Sequence, residues 1–220
     1  MSLPAKHAHC AAVAGEQPAL PGFHLAPFRR PPPIARRLAQ TISRWRFLWP
    51  LAAAVWLLAA CTTLPEGVVP VSDFRLERYL GKWYEIARLD HSFERGLSDV
   101  SAHYRLQPDG SVEVLNRGYN AARQRWQQAA GRAVFIGEPS RGSLKVSFFG
   151  PFYGAYHIAA LDQRDYRWAL VVGPSRDYLW MLSREPHLPD EVREALLRQA
   201  RELNFAVDRL IWVTHRASGD

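Results

Sequence analysis

Hydrophobic and polar residues alternate with a period of two from Gly81 to Glu185, as expected for β-strands with one buried face. Turn sequences separate the alternating stretches: Pro108-Asp109-Gly110, Gly137-Glu138-Pro139-Ser140 and Gly173-Pro174-Ser175. The spacing predicts about eight short strands with no helix between them, and links of this length favour an antiparallel meander. Closing such a sheet into a barrel removes its edges and leaves an interior that can hold one small ligand.

The pattern changes on either side of the predicted strands. Ser72 and Asp73 are expected to cap a short helical turn that ends at Tyr79. After Pro189, apolar residues recur at helical spacing until Asn204, with acidic residues in the first turn. A last short strand is predicted at 210–213. The predicted fold class is therefore all-β, an eight-stranded antiparallel up-and-down barrel with a C-terminal helix and a short final strand.

The first part of the chain predicts a secretory leader. Residues 1–46 show no periodicity, and Pro31-Pro32-Pro33 opposes a helix there. Arginines then precede an apolar run from Phe47 to Ala60, which would span about 21 Å as a helix and so falls short of a ~30 Å bilayer core. The leader exceeds the usual ~15–30 residues. We therefore expect translation to start near the arginines, at a codon other than Met.

The leader ends in Leu58-Ala59-Ala60-Cys61, which resembles the lipobox of bacterial lipoproteins. That resemblance implies acylation of Cys61 after cleavage, and Thr62 in place of Asp favours export to the outer membrane. More than one acyl chain anchors a protein stably. The expected organisation is a leader at 1–60 with its signal core at about 36–60, a lipidated Cys and tether at 61–72, and a barrel domain at 73–216. The alternative is an ordinary signal peptide followed by an unmodified Cys61.

The net charge of +7 at first suggests a nucleic-acid partner, but the charge is unevenly distributed. Residues 1–60 carry +6 of it, and the remaining 160 residues carry +1 with both signs interspersed. Phosphate backbones require a concentrated basic face, so we exclude nucleic-acid binding as the main role.

Motifs for catalysis are missing from the sequence. It contains no Gly-x-Ser-x-Gly, no His-Glu-x-x-His and no phosphate-binding loop, and its histidines are scattered. Neither Cys10 nor Cys61 has metal-ligand spacing. We therefore predict no catalytic residue, no metal ligand and no cofactor. Glu85 is expected to be ion-paired or exposed at the barrel rim.

The segment Gly81-Lys82-Trp83-Tyr84-Glu85-Ile86-Ala87, followed by strands, a helix and a strand, resembles the opening signature of the lipocalin family. The segment 177–186 is similar to the later signatures, and 90–97 and 145–154 resemble the bacterial lipocalins, which are outer-membrane lipoproteins similar to apolipoprotein D. The resemblance covers roughly 73–213. It implies that Trp83, which follows Gly81, closes the narrow end of the barrel and that Arg184 lies over it.

One face of the predicted strands combines apolar side chains with a few polar atoms, which is the makeup of a small-molecule pocket. We expect these residues to bind the ligand: Tyr104, Val114, Asn116, Phe148, Tyr156, Ile158 and Trp168. Each is also consistent with plain core, and an error of one residue in register would turn every side chain to the other face.

The lipocalin resemblance implies a membrane-anchored protein that binds, stores or transports fatty acids or lysophospholipids at the periplasmic side of the outer membrane, in membrane maintenance under stress. Arg88, Arg95 and Arg117 are the candidates to meet the lipid headgroup. Three alternatives stay open: a carrier of haem or a pigment, a filled barrel that serves as an interaction module, and a lipid-modifying enzyme. The resemblance also leaves a homodimer open.

Overall fold

The computed structural model describes residues 62–216. They form a closed barrel in which every neighbouring pair of strands is antiparallel. The elements in chain order are helix α1 (Leu76–Tyr79), strands β1 (Gly81–Arg88), β2 (Leu97–Leu106), β3 (Val112–Asn120), β4 (Arg125–Phe135), β5 (Ser143–Phe149), β6 (Phe152–Leu161), β7 (Trp168–Val172) and β8 (Leu179–Ser183), helix α2 (Asp190–Glu202), a 3₁₀ turn (Val207–Arg209) and strand β9 (Ile211–Trp212).

Strand β1 closes the barrel because it pairs with strands on both sides. Its first half pairs with β2, from Gly81 to Tyr84, and its second half pairs with β8, from Tyr84 to Arg88. The short β9 adds to β1 at Ala87 and Arg88. The predicted eight-stranded barrel with its helix and final strand is confirmed.

The apolar residues separate into two clusters, one inside the barrel and one outside it. The inner cluster is built around Trp83, Tyr104 and Ile158. The outer cluster lies where α2 covers β1, β7 and β8, and it includes Leu196, Leu170 and Met181. The barrel wall is therefore packed on its outer face by the helix, while its inner face surrounds the interior.

The two ends of the barrel differ. We call the end beside α1 and the start of β1 the floor, and the opposite end, where the β1–β2, β3–β4, β5–β6 and β7–β8 loops lie, the mouth. Near the mouth, β4 and β5 separate: β4 pairs with β5 from Arg132 to Phe135, whereas it pairs with β3 along its whole first part from Arg125. The wall is thus interrupted on one side of the mouth.

Two expectations about the N-terminal segment are wrong. Helix α1 begins at Leu76, after Arg75, with no side-chain cap, so Ser72 and Asp73 do not cap it. The expected tether also belongs in part to the folded domain: Val68 is buried in the outer cluster, and Val71 exchanges backbone hydrogen bonds with the barrel. The polar and proline-rich composition suggested a free linker, but docking along the barrel satisfies its backbone groups.

Residues 1–61, which contain the predicted leader and Cys61, lie outside the described residues. Within residues 62–216, no helix is long and apolar enough to cross a membrane.

Candidate functional site: the barrel interior

The inner wall brings together six of the seven residues that the sequence predicted to bind the ligand. Tyr104, Val114 and Ile158 belong to the inner cluster, and Phe148 and Tyr156 pack against it. Asn116 faces the same side, because it pairs with Ala102, which also packs on this cluster. These residues line the interior from floor to mouth, and ligand contact by them stays a prediction.

Trp168 is not part of this group, so the expectation that it shares their face is wrong. It packs against the outer cluster, on the side of β7 that carries Leu170 and Val172, whereas Ala169 and Val171 face the interior. Both faces of β7 are apolar and covered. The alternation of large and small residues therefore could not predict which side chains of β7 face the barrel interior.

The floor is closed by Trp83 and Arg184. Trp83 is fully buried, and its Nε1 donates to the carbonyl oxygen of Tyr79 at 2.7 Å. The Arg184 guanidinium lies over the indole with Cζ 4.0 Å from the ring centroid, a cation–π geometry. It also donates to the carbonyl oxygens of Lys82 and Arg78, each at 2.8 Å.

Gly81 supplies the backbone conformation at the start of β1 that precedes this arrangement. Its φ of +90° is in the region that favours glycine, whereas a Cβ there would make only ordinary contact with Arg184.

Three tyrosine hydroxyls meet above the floor. The Tyr156 hydroxyl lies 2.7 Å from that of Tyr79 and 2.8 Å from that of Tyr104, so all three are satisfied within the apolar interior. The cavity beside them holds about 10 Å³, roughly the room for one water. The floor half of the barrel is therefore filled by its own side chains.

The mouth half is more open. Ala129, which pairs with Asn116 and so faces the interior, is exposed, as is Gly154 on β6. Ala129 lies beside the gap between β4 and β5, Gly154 lies on the far side of β5, and neither fills the space with a large side chain. Phe148 borders the same region and covers Gly131, where a Cβ would lie 2.8 Å from the Phe148 ring.

A buried group of charged and aromatic residues lies at the mouth, beneath the β1–β2 loop. We call this group the mouth cluster: Glu85, Arg88, His91, Glu94 and Trp180. Arg88 is 1% exposed and donates to Oε1 of Glu85 at 2.6 Å and to the carbonyl oxygen of Glu94 at 2.8 Å. Trp180 donates from Nε1 to Oε2 of Glu94 at 3.1 Å. These bonds fasten the loop onto the barrel wall.

The mouth cluster has two carboxyl groups for one guanidinium, and this imbalance shows in its pKa values. Burial, followed by the negative charge of Glu94, raises the pKa of Glu85 from 4.5 to about 8, against the opposing effect of Arg88. Burial also raises the pKa of Glu94. His91 adds no positive charge at neutral pH, because burial and the nearby Arg88 lower its pKa to about 4. The raised pKa keeps the proton on Glu85 at neutral pH, so the two carboxyl groups do not both carry a charge beside the one guanidinium.

The three arginines considered for the headgroup occupy different positions. Arg88 is in the mouth cluster and already bonded. Arg95 is exposed on the loop and pairs with Asp90 at 2.7 Å. Arg117 follows Asn116 on β3 and so points outward, where its Cζ lies 3.9 Å from the centroid of the Trp126 ring. Arg88 is thus the one of these three that faces the interior.

Sequence reasoning missed most of the mouth cluster. Glu85 was expected to be paired or exposed, and it is paired but buried. His91 and Glu94 lie in a loop without periodicity, where no pattern indicates which side chains turn inward. A weak signal was present, because Glu85, like Trp83, is on the interior side of β1.

Among residues 62–216, no group of His, Cys, Asp and Glu has the geometry to hold a metal ion. A model of the lipocalin-like domain matches residues 74–215 of the sequence. The chain belongs to the lipocalin family. This is a family of binding and transport proteins, and the lipocalin match spans the whole barrel and the helix that covers it.

Relatives within the lipocalin family include bacterial lipoproteins. The sequence is 54% identical over 169 residues to outer membrane lipoprotein Blc of Escherichia coli K12, covering 76% of this chain and 95% of that protein. It is 52% identical over 157 residues to Blc of Vibrio cholerae, covering 71% and 92%. Apolipoprotein D of Bos taurus is 34% identical over 151 residues, covering 64% and 77%. This lipocalin is thus an outer-membrane lipoprotein by its similarity to the bacterial proteins.

Solved lipocalin structures share the fold at low sequence identity. Insecticyanin from the tobacco hornworm has a TM-score of 0.57 and 19% identity, covering 70% of this chain and 87% of that one. The cockroach allergen Per a 4 has a TM-score of 0.55 and 17% identity, covering 69% and 94%. These similarities concern the fold and not the ligand.

Proposed function

We propose that this lipocalin binds the acyl chain of a fatty acid or lysophospholipid in its barrel and stores or transports that lipid at the outer membrane, in membrane maintenance under stress. The observation that carries the proposal is the inner wall itself. Its apolar residues continue from the filled floor to the gap between β4 and β5, where the exposed Ala129 fills little of the interior. Each methylene buried there would contribute about 0.8 kcal/mol.

We infer the orientation of the lipid from the distribution of polar groups. The floor half is filled and its hydroxyls satisfy one another, so the acyl chain would lie along the mouth half, against Phe148 and Val114. The headgroup would then lie at the mouth, where the charged residues are. We propose binding rather than catalysis for this site, because among the described residues that line it no buried polar group is arranged as a nucleophile with its base.

We also propose that Cys61 carries the acyl anchor. The lipobox-like sequence before it and the similarity to outer membrane lipoproteins support this role. The intact mass of protein extracted from membranes should correspond to a chain that begins at an acylated Cys61. A mass that begins elsewhere would disprove the anchor. The homodimer that the family resemblance leaves open remains a prediction.

Binding can be measured with the purified, delipidated protein. We expect saturable binding of a lysophospholipid and a fatty acid of the same chain length, seen as a change in tryptophan fluorescence. Ala129→Trp should weaken binding by filling the opening, and Ala130→Trp, on the opposite face of the same strand, should not. Absence of binding by either lipid would refute the proposal and favour a carrier of another hydrophobe or a filled barrel used for interactions.

A further inference from the structure

We propose that the mouth of the barrel docks on the membrane surface, with aromatic side chains of its loops inserted into the leaflet that holds the acyl anchor. The inference rests on the proposed acylation of Cys61, and it adds an orientation that an anchor alone does not impose. The path of the chain, the exposed side chains of the mouth loops and their charge each support the bilayer as the partner.

The first argument is the place where the described chain begins. The Thr63 hydroxyl lies 3.4 Å from the carbonyl oxygen of Pro174. Three residues later, the carbonyl oxygen of Glu66 accepts a hydrogen bond from Nη2 of Arg176 at 2.7 Å. Pro174 and Arg176 belong to the β7–β8 loop, which is one of the mouth loops. The first residues of the domain therefore lie beside the mouth.

From the mouth the chain continues along the barrel to the floor. The carbonyl oxygen of Val71 accepts a hydrogen bond from the backbone N–H of Gly142 at 2.9 Å. Further on, Phe74 donates to the carbonyl oxygen of Ser140 at 2.8 Å. Both partners are in the β4–β5 loop, at the floor end. The segment before α1 is thus held at both ends of the barrel, and its start is the end beside the mouth.

This path leaves little free chain between the barrel and the anchor. Cys61 stands two residues before Thr63, and two residues of extended chain reach about 7 Å. An acyl anchor on Cys61 would therefore hold the mouth at the membrane surface and the floor away from it. A flexible linker over the whole of 61–72 would have imposed no such orientation.

The second argument is the distribution of exposed aromatic side chains. Phe149 and Phe152 flank the β5–β6 turn and are 81% and 69% exposed, and Phe93 on the β1–β2 loop is 59% exposed. At the floor, the exposed large apolar side chain among the described residues is Leu106, at the end of β2. Exposed apolar groups concentrated on one surface mark sites of protein or membrane contact. These phenylalanines lie at the end from which the anchor would emerge.

The third argument is charge. Residues 117–128, around the β3–β4 turn at the mouth, contain Arg117, Arg123 and Arg125 and no acidic residue. The three arginines are exposed, and none of them forms an ion pair within residues 62–216. Trp126 follows them and is itself partly exposed. Trp is enriched at membrane interfaces, and anionic lipids attract basic side chains. This hairpin is suited to the surface of an anionic bilayer.

A second copy of the chain fits the mouth loops less well than a bilayer does. Two chains anchored beside their mouths would have to turn both mouths away from the membrane before the mouths could meet. Their pairing would also bring the arginines of both β3–β4 hairpins together. With the bilayer as partner, the barrel opens onto the anchoring leaflet, and a lipid would pass between leaflet and interior without crossing water.

The test measures the membrane depth of single spin labels on the acylated protein in vesicles of phosphatidylethanolamine and phosphatidylglycerol. Phe149→Cys places the label at the mouth, and Leu106→Cys, at an exposed apolar position on the floor, is the matched control. The chain has two cysteines: Cys10 would leave with the leader and Cys61 would be acylated, so the introduced thiol is the one that reacts. We expect the label at 149 to collide with oxygen, which concentrates in the bilayer, and to lose its collisions with a water-soluble nickel complex. The label at 106 should show the reverse.

Equal exposure of the two labels to the nickel complex would overturn the docking. A label at 149 that is shielded from oxygen and nickel alike would show that a second copy covers the mouth, which would overturn it too. Phe152→Cys repeats the measurement on the next strand, in case Phe149→Cys does not fold. Protein that does not stay with the vesicles would disprove the anchor and the docking together. Failure of docking in vesicle-bound protein would leave the anchor and the proposed lipid binding in place.

Discussion

Single residues at the floor combine packing, a hydrogen bond and a cation contact. Trp83 fills the narrow end of the barrel, bonds to the Tyr79 carbonyl oxygen and lies beneath Arg184. At the mouth, Trp126 is 43% exposed and contacts Tyr119 and Arg117 on the surface. The same residue type therefore has a core role at one end and a surface role at the other.

Replacing Trp83 with Ala should lower the free energy of unfolding by about 3–5 kcal/mol, because it leaves a cavity and removes the surface on which Arg184 stacks. Urea denaturation followed by circular dichroism would measure it. Trp126→Ala is the matched control and should cost about 1 kcal/mol or less, as expected for an exposed side chain. Equal losses in the two variants would show that Trp83 does not close the barrel.

The position of a single residue could be predicted from the sequence only where the segment around it is distinctive. Trp83 and Arg184 could be paired because each stands in a recognisable segment. Trp168 could not be placed, since β7 is covered on both faces and its alternation between large and small residues mimics an inward face. The orientation of such a strand is decided by the helix that packs on it, which no local pattern contains.

At the level of elements, strand β1 divides the molecule into its structural and binding ends. Its first half holds the floor, and its second half carries Glu85 and Arg88 to the mouth. The register shifts between Glu85 and Ala87, so both Glu85 and Arg88 face the interior although they are three residues apart. Period-two analysis predicted the strand but not this bulge, and hence not the pairing of the two charges.

The raised pKa of Glu85 predicts a change of stability with pH. The folded chain keeps a proton that the unfolded chain releases, so its contribution to the free energy of unfolding falls as pH rises from 4.5 to about 8. In Glu85→Gln this loss is absent. The free energy of unfolding of Glu85→Gln should therefore rise relative to that of the wild type across that range, by at most about 1.4 kcal/mol per pH unit.

Urea denaturation of the two proteins at several pH values measures this difference. His91 acts in the opposite sense: its lowered pKa stabilises the fold above 6.5, and this contribution is lost as pH falls to about 4. Because both proteins contain His91, the comparison cancels most of its effect. Parallel curves for the two proteins would mean that folding does not raise the pKa of Glu85.

For the whole molecule, the barrel wall separates two cores with different tasks. The outer core joins α2 to β1, β7 and β8, and the inner core lines the proposed lipid site. Alternation along the strands predicted an antiparallel sheet with one enclosed apolar side, and the helix, the final strand and the lipocalin resemblance indicated that this sheet closes into a barrel. It could not predict how much of the interior is filled, since that depends on the volumes of side chains from distant strands.

The two cores should separate stability from binding. Leu196→Ala removes a fully buried side chain from α2 and should cost about 2–5 kcal/mol in the free energy of unfolding. It should leave the lipid dissociation constant unchanged, because Leu196 does not face the interior. Phe148→Ala should affect binding more than stability. Phe148 is partly buried beside the opening, so its loss should weaken lipid binding by about tenfold or more and lower the free energy of unfolding by less than Leu196→Ala does.

Urea denaturation and a fluorescence titration with the same lysophospholipid, both on the same samples, would measure the two quantities. Lipid should also raise the free energy of unfolding of Leu196→Ala as much as that of the wild type, since a ligand stabilises by an amount set by its concentration and affinity. A Leu196→Ala variant with lipid affinity as weak as that of Phe148→Ala would show that the helix shapes the interior through the wall. The two cores would then have to be treated as one coupled unit.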